Sequence, residues 1–415
     1  MQGGSHATSP VRAAGNRRPD PGMRSRGRRA RIGVAAILLV LCVGLVTALV
    51  VYRATAGPRT VRVMTRNLYI GADITRPIRA AAGRTGRDAV LALGHANHEL
   101  RQIVDHTDFS TRSRLLADEI AKAQPALLGL QEVAHWRHGA MELNHVGQLN
   151  ATTVDYDFLQ LLLAQLAARG LSYEVAGVQQ ESDVEAPAFT GDPFAGTATG
   201  AQDVRLTVRD VILVHRGAGV RVLNSGGGSY QHRLDVTLGG VPFSFVRGFA
   251  WADVTVGSFR FRFVTTQLES QSADIAVAQA AELLAGPAAD TSTSTVMVCD
   301  CNSDPADSNV PSGDSVPKSA AYQLITGEGR FGDLWLQQQP SPGRGFTAGL
   351  SELVNDATPA ALTRRLDLAL ARPAAGARLT VRQADVTGDE LADRDPRTGL
   401  WPSDHAGVVV SVRAG

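Results

Sequence analysis

Four segments, far apart in the chain, each place side chains bearing oxygen or imidazole at the end of an apolar run. Val61 to Asn67 alternates apolar and polar residues and closes on Asn67. Ala126 to Glu132 is nearly continuous apolar chain and closes on Gln131 and Glu132. Thr295 to Asn302 runs out through Asp300 and Asn302, and Ser403-Asp404-His405 stands directly before the apolar run Ala406 to Val410. Each run is too short for a helix and too apolar for a loop, so each reads as a strand with chemistry at its end. Alternate side chains of a strand share a face, which aims Asp300 and Asn302 the same way. Carboxylates and carboxamides are hard oxygen donors that suit a Mg²⁺ ion keeping several waters and holding a phosphate. An Asp and a His then remain to activate water. Alone, an Asp-His pair at a strand end reads equally well as a hydrogen-bonded corner, and the long separations require a fold to assemble the set.

From about Val61 to Val412 the chain resembles the endonuclease/exonuclease/phosphatase superfamily. The resemblance is carried, in order, by TRNLYIGAD, LLGLQEV, CDCNSDP and PSDHAGVVVSV. Shorter pieces around Arg209-Asp210, Thr266-Gln267-Leu268, Asp333-Leu334-Trp335 and Leu366-Asp367-Leu368 fall in the expected places between them. The resemblance implies an α/β fold, a four-layered α/β sandwich of two packed, mainly antiparallel sheets flanked by helices. It also implies a phosphoesterase dependent on Mg²⁺ or Mn²⁺. On that pattern Glu132 is the principal metal ligand, Asn67 lies near the metal and the phosphate, and Asp404 lies close to the metal. Asp300 orients or deprotonates the attacking water, and Asn302 binds phosphoryl oxygens. His405 contacts the scissile phosphate and Asp367 orients its imidazole.

Two departures stand out. Where the nuclease and sphingomyelinase branches of the family usually have Thr-His-Leu, this chain has Gln267, which can donate to phosphate but cannot transfer a proton near neutral pH. That leaves three readings: metal-bound water protonates the leaving group, the leaving group needs little help, or the domain is a binding module that has lost turnover. Cys299 and Cys301 stand where the family has Gly and Phe. Two apart on one strand, they have poor geometry for bridging each other and are expected to pack as small apolar residues.

Other polar residues carry weaker signals. Asp210 is open to two readings, a site residue or an ion pair at a sheet end. Asp73 reads as turn-stabilising, and His95 with His98 as an exposed helical pair.

The other decisive segment is 32–52, uncharged and bounded by Arg31 and Arg53. About 21 residues at ~1.5 Å each give a helix of about 31 Å, the thickness of a bilayer core. The arginines ahead of it place that end in the cytoplasm and the rest of the chain outside. The resulting organisation is a basic disordered cytoplasmic tail (1–31), a transmembrane signal anchor (32–52), a linker (53–60) and one catalytic domain (61–415). Ala54-Thr55-Ala56 offers the alternative of cleavage near Ala56 and secretion.

Charge bears on the substrate. Nine of the 41 basic residues and one of the 40 acidic ones lie in residues 1–53, which leaves the remainder with 32 basic, 39 acidic and a formal net charge of −7. Non-specific nucleic-acid binding draws on Lys and Arg against backbone phosphates, so this balance disfavours it without excluding an arginine-lined groove. The expected substrate is a phosphodiester in a lipid head group, a small organic phosphate or nucleic acid. The membrane is a partner through the N-terminal helix, and no protein partner is inferable.

Periodicity predicts helices over 110–123, 155–169 and 272–285, and a hairpin of strands 249–256 and 259–266 about Gly257-Ser258. The Gly, Ala, Pro and Asp of 181–202, and the glycines of 224–229, predict surface loops.

Overall fold

The computed structural model describes residues 60–414 apart from 239–240, 339 and 341–342. The expected tail, membrane anchor and Ala56 cleavage site lie outside the described residues. Among those described, no helix is long and apolar enough to cross a membrane.

In chain order the principal elements are β1 (Thr60–Asn67), α1 (Thr75–Ala81), α2 (Gly86–His106), α3 (Phe109–Ala123), β2 (Leu127–Gln131), β3 (His135–Gly139), β4 (Thr153–Asp157), α4 (Phe158–Ala168) and β5 (Tyr173–Thr190). They continue with β6 (Thr199–His215), β7 (Val220–Ser229), β8 (Leu234–Leu238), β9 (Val241–Phe245), β10 (Gly248–Val256), β11 (Phe259–Gln267), α5 (Ala273–Ala285) and β12 (Ser294–Asp300). The last are α6 (Ala320–Thr326), β13 (Gly332–Asp333), β14 (Asp367–Arg372), β15 (Leu379–Thr387) and β16 (Gly407–Ala414).

The first sheet is eight-stranded, in the order β15-β16-β1-β2-β6-β3-β4, with β5 also paired to β6; the second is six-stranded, β13-β14-β12-β11-β10-β7. β1 with β2 and β11 with β12 are parallel pairs, and the other pairings are antiparallel.

Strand alternation sorts the apolar residues into three layers of core. Val61 and Val63, Ile212 and Val214, Phe261 and Phe263, Val296 and Val298, and Val408, Val410 and Val412 pack between the two sheets. The intervening residues face outward: Met64, Leu128 and Leu130 pack with Leu116 and Ile120 of α3 and Leu162 and Leu166 of α4. On the second sheet, Val264, Met297 and Leu370 pack with Ala276, Ala280 and Leu283 of α5 and Ile325 of α6. The molecule is thus built of helices, sheet, sheet and helices, with both sheets mixed.

Several sequence expectations are corrected. Residues 181–190 and 199–202 lie in the long β5–β6 hairpin, whose ladder runs from Tyr173↔His215 to Thr190↔Thr199. Their small and turn-forming residues are accommodated by register shifts at Val175/Gly177, Gln180/Asp183 and Ala188/Thr190. The glycines of 224–229 lie in β7. A Cβ at Gly226 would meet the Trp251 ring at 2.8 Å, and one at Gly228 the Phe249 ring at 2.9 Å. The glycine run is therefore a bed for aromatic rings of β10 and not a loop. The helix expected from 155 starts at Phe158, because Thr153–Asp157 pairs as β4 and the Asp157 carboxylate caps the helix at Leu159 N.

Gly129 of β2 marks the closest approach of the sheets: a Cβ there would overlap Val298 and come within 2.7 Å of Thr265 Oγ1. Gly129→Ala should destabilise the domain by about 1–3 kcal/mol through overpacking. Urea unfolding checks this, and an unchanged midpoint would mean that the sheets can separate there freely.

Candidate active site

The layer between the sheets changes chemistry at one end of the sandwich. Along β1 the inward series is Val61, Val63, Thr65, Asn67; along β11 it is Phe261, Phe263, Thr265, Gln267; along β12 it is Val296, Val298, Asp300. The apolar rungs give way first to a buried polar rung, in which Thr65 Oγ1 donates to Gln131 Oε1 (3.2 Å) and Gln131 Nε2 donates to Thr265 Oγ1 (2.8 Å). The next rung holds Asn67, Gln267, Asp300 and Asp367, each at most 1% exposed. Register brings them together, with Gln267↔Asp300 and Asp300↔Asp367 as direct strand partners.

At this rung two carboxamides bridge two carboxylates. Asn67 Nδ2 donates to Glu132 Oε1 and to Asp300 Oδ2, both at 3.0 Å. Gln267 Nε2 donates to the same two oxygens, at 2.8 and 3.0 Å. The amides are turned this way by their other ends: Asn67 Oδ1 accepts from Tyr69 N (2.7 Å), and Gln267 Oε1 accepts from Arg247 Nη1. The Asn67 oxygen is thus engaged by the backbone, and it is the nitrogen that faces the carboxylates. Ile70 N holds the second oxygen of Glu132 at 3.0 Å.

Beside this ring, His405 Nδ1 pairs with Asp367 Oδ2 at 2.7 Å. Burial disfavours the imidazolium, but the charges of Asp367, Asp404 and Asp300 outweigh it and raise the His405 pKa well above the ordinary histidine value. Asp367, fully buried, is itself pushed up by desolvation despite its partner. One ligand atom from each of Asp300, Asp367 and His405 falls within 4.8 Å of the others. Glu132, Asn302, Asp404 and His405 are only half-buried and form the part of the set open to solvent.

The expectation that Asn302 shares a strand face with Asp300 is corrected. β12 ends at Asp300, the chain turns through a left-handed conformation at Asn302 (φ 46°), and its Nδ2 binds Leu268 O at 2.9 Å. The strand alternation that would have aligned it with Asp300 has ended, and Asn302 straps the exits of β11 and β12 together. The expectation that Cys299 and Cys301 do not bridge is corrected as well. They form a disulfide across 5.0 Å of Cα separation, because the chain leaves extended geometry at that point.

Tyr69 (φ 57°) and Glu132 (φ 55°) are also left-handed, at about 1–2 kcal/mol of backbone strain each. The bonds to Tyr69 N and Ile70 N offset it.

The structure adds supporting residues that sequence reading missed. Arg112, fully buried on α3, donates to the carbonyls of Leu68 (2.7 Å), Tyr69 (3.0 Å), Thr107 (2.8 Å) and Pro402 (3.1 Å), tying the first and last motifs together. Its available signal was a cation on the stripe of Phe109, Leu116 and Ile120. Arg66, paired with Glu119 at 3.0 Å, reaches the His405 carbonyl. Ser403 Oγ donates to Asn67 O at 2.9 Å.

Behind Gln267 lies an acidic pocket around Arg247, with Glu181 (3.4 Å), Glu269 (4.0 Å) and Asp210, whose two carboxylate oxygens have no hydrogen-bond partner. Of the two readings of Asp210, the sheet-end ion pair is the one not found: Arg209 pairs with Asp157 at 2.7 Å instead.

The donor chemistry suits a hard divalent cation. Asp404 lies 3.3 Å from Ser403 Oγ, whose proton goes to Asn67 O, and its carboxyl is pushed up to about 6 by burial and by the charge of Glu132. Glu132 and Asp404, both at solvent-reaching positions, are hard oxygen donors of the kind such a cation takes.

No family model matches the chain, and neither does any curated protein. Among solved structures it is similar to an endonuclease/exonuclease/phosphatase family protein from Bacteroides thetaiotaomicron, at 15% identity and a TM-score of 0.48, over 86% of this chain and 98% of that one. It is similar also to the human Nocturnin catalytic domain with bound sulfate anion (14%, TM-score 0.44, 86% and 94%) and to a mannosyl-6-phosphatase of Bacteroides thetaiotaomicron (14%, 0.45, 85% and 99%).

Glu181 gives the site a pH signature. Burial, with Glu132 adding to it, pushes its carboxyl from 4.5 up to about 7, although Arg247 opposes this. The folded state keeps a proton that the unfolded chain loses, so this contribution to stability is full below pH 4.5 and is lost as pH rises through about 7. His405, also raised, acts in the same direction. In metal-free buffer Tm should fall between pH 5 and 8, and Glu181→Gln should flatten the fall. An identical slope in the variant would remove Glu181 as a source.

Proposed function

We propose that this chain is a divalent-metal-dependent phosphoesterase that hydrolyses a phosphodiester by in-line attack of water. The observation that carries the reading is the pair of carboxylates, Glu132 and Asp300, locked by Asn67 and Gln267 beside Asp404 and the His405–Asp367 pair. Glu132 and Asp404 would hold Mg²⁺ or Mn²⁺, with Asn67 supporting Glu132. When bound, the ion supplies charge neutralisation at the phosphoryl oxygens and a more acidic water.

Asp300 is oriented by three donors and accepts the proton of the attacking water. His405, kept cationic by its acidic neighbours, binds the phosphate through the ring nitrogen that Asp367 leaves free and is the acid nearest a leaving oxygen. Asn302 has a second N–H for a phosphoryl oxygen. Gln267 sets the two carboxylates with both of its N–H groups and moves no proton. An intact His–Asp pair favours turnover over a binding module, because a phosphate-binding pocket has no need of an aligned imidazole.

The acidic balance outside residues 1–53 supports a small phosphodiester or a lipid head group over nucleic acid. The apolar segment 32–52 supports export and tethering at the cell membrane, with the domain on the extracytoplasmic side. A nuclease secreted after cleavage near Ala56 is the alternative, and activity on plasmid DNA exceeding that on phospholipid vesicles would favour it.

The purified chain should hydrolyse bis(4-nitrophenyl) phosphate with Mg²⁺ or Mn²⁺ and lose that activity with chelator. Glu132→Gln should lower kcat on the order of 10²- to 10³-fold with the fold intact; wild-type rates would take Glu132 out of the site. Gln267→His should keep or raise the rate on poor leaving groups. A large fall there would show that the Arg247-oriented carboxamide is itself required.

A further inference from the structure

We propose that the Cys299–Cys301 disulfide is a positioning device for Asp300 that makes hydrolysis reversibly sensitive to thiols. The proposal rests on the phosphoesterase reading of the site. The two cysteines bracket Asp300 in sequence, so their bond closes a ring around one of the two carboxylates that take hydrogen bonds from both Asn67 and Gln267. Both are fully buried on the outer face of the second sheet, among Leu268, Phe331 and Leu368, while Asp300 faces inward. The disulfide therefore contributes no atom to the site. It constrains only the backbone of 299–301, where the strand stops.

That constraint acts at the strand exit, between the last ladder pairs and the anchors of Ser303 on Lys318 O (2.6 Å) and of Asp304 beneath Arg365 N (3.2 Å). The ladder ends with Gln267↔Asp300 and Asp300↔Asp367, and the following residues are held by Cys301 N on Leu366 O (2.9 Å) and by Asn302. Residues two apart in an extended strand lie about 6.6 Å apart, whereas Cys299 and Cys301 are 5.0 Å apart between Cα atoms. Reduction frees the segment to lengthen, which shifts Asp300 and the Asn302 strap together. A misplacement on the order of 1 Å at a reacting group costs about 10²-fold in rate.

The redox step is two-electron exchange with a small dithiol. Its thiolate attacks one protein sulfur, the second sulfur leaves as a thiolate, and the reagent's other thiol closes its own disulfide, so that two protein thiols form and the dithiol is oxidised. A disulfide at this place fits an oxidising compartment, in keeping with the export proposed above.

The test uses the full chain in a Cys42→Ser background, which leaves these two as its only cysteines. Peptide mapping after alkylation without reductant should show Cys299 and Cys301 joined. Dithiol treatment should lower kcat on bis(4-nitrophenyl) phosphate about 10- to 100-fold with KM little changed and far-UV circular dichroism intact, and reoxidation should restore it. Cys299→Ala/Cys301→Ala should show the low kcat and no response to dithiol; if it does not fold, Cys299→Val/Cys301→Val keeps the apolar volume and serves instead. Free thiols in the air-oxidised protein, or equal kcat in both redox states, would overturn the proposal alone. Absence of hydrolysis in both states would overturn the phosphoesterase reading, and the proposal with it.

Discussion

Everything at the candidate site depends on how two carboxylates are held side by side inside a protein without repelling each other apart. Glu132 Oε1 and Asp300 Oδ2 share both carboxamide groups, Asn67 and Gln267, in a closed ring of four N–H···O contacts. Each amide is oriented from behind, by a backbone N–H in one case and a guanidinium in the other. Without those anchors either amide could flip and present an oxygen to an oxygen, and buried like-charged acceptors would be left unpaired. The electrostatics of the ring thus reach back to Tyr69, Arg247 and the strand exits that place them.

The ring sits where it does because the two sheets share one inward-facing series. As long as the series is Val, Ile and Phe, the space between the sheets is dry and tightly packed. At the last rungs Thr65, Gln131 and Thr265 form a hydrogen-bonded layer that insulates the apolar core from the charged groups beyond. A sandwich end is also where strand pairing stops, so that Glu132, Asn302 and the 403–405 segment can reach solvent. Polar groups deep enough to be set by packing, yet next to an opening, combine preorganisation with access.

Arginines do much of the bracing. Arg112 gathers three carbonyls from the two site loops and a fourth from Thr107 at the end of α2, Arg66 couples Glu119 to the His405 carbonyl, and Arg247 sits among three acids. A planar guanidinium has enough donors to satisfy several buried acceptors at once, which a lysine ammonium does less well. The described domain contains only two lysines, Lys122 and Lys318, and this structural use accounts for part of its arginine content.

The sequence by itself determined the strand cores, the identity of the groups at their ends and three of the six helices among the described residues, because period-two and helical hydrophobic patterns are local properties of the chain. It also brought Asn67, Glu132, Gln267, Asp300, Asp367, Asp404 and His405 to notice as a set, through motif order. What it left undetermined was direction: which end of the Asn67 amide faces the acids, where the β12 alternation stops before Asn302, and whether Cys299 and Cys301 come within bonding distance. Composition misled at 181–202 and 224–229, where small residues serve a bulged hairpin and a bed for aromatic rings. Those outcomes depend on contacts between residues tens or hundreds of positions apart, and only the packed sheets decide them. Arg112 shows the division most plainly: its place on an apolar helical stripe is written in the sequence, but the four carbonyls that justify burying it come together only in the folded chain.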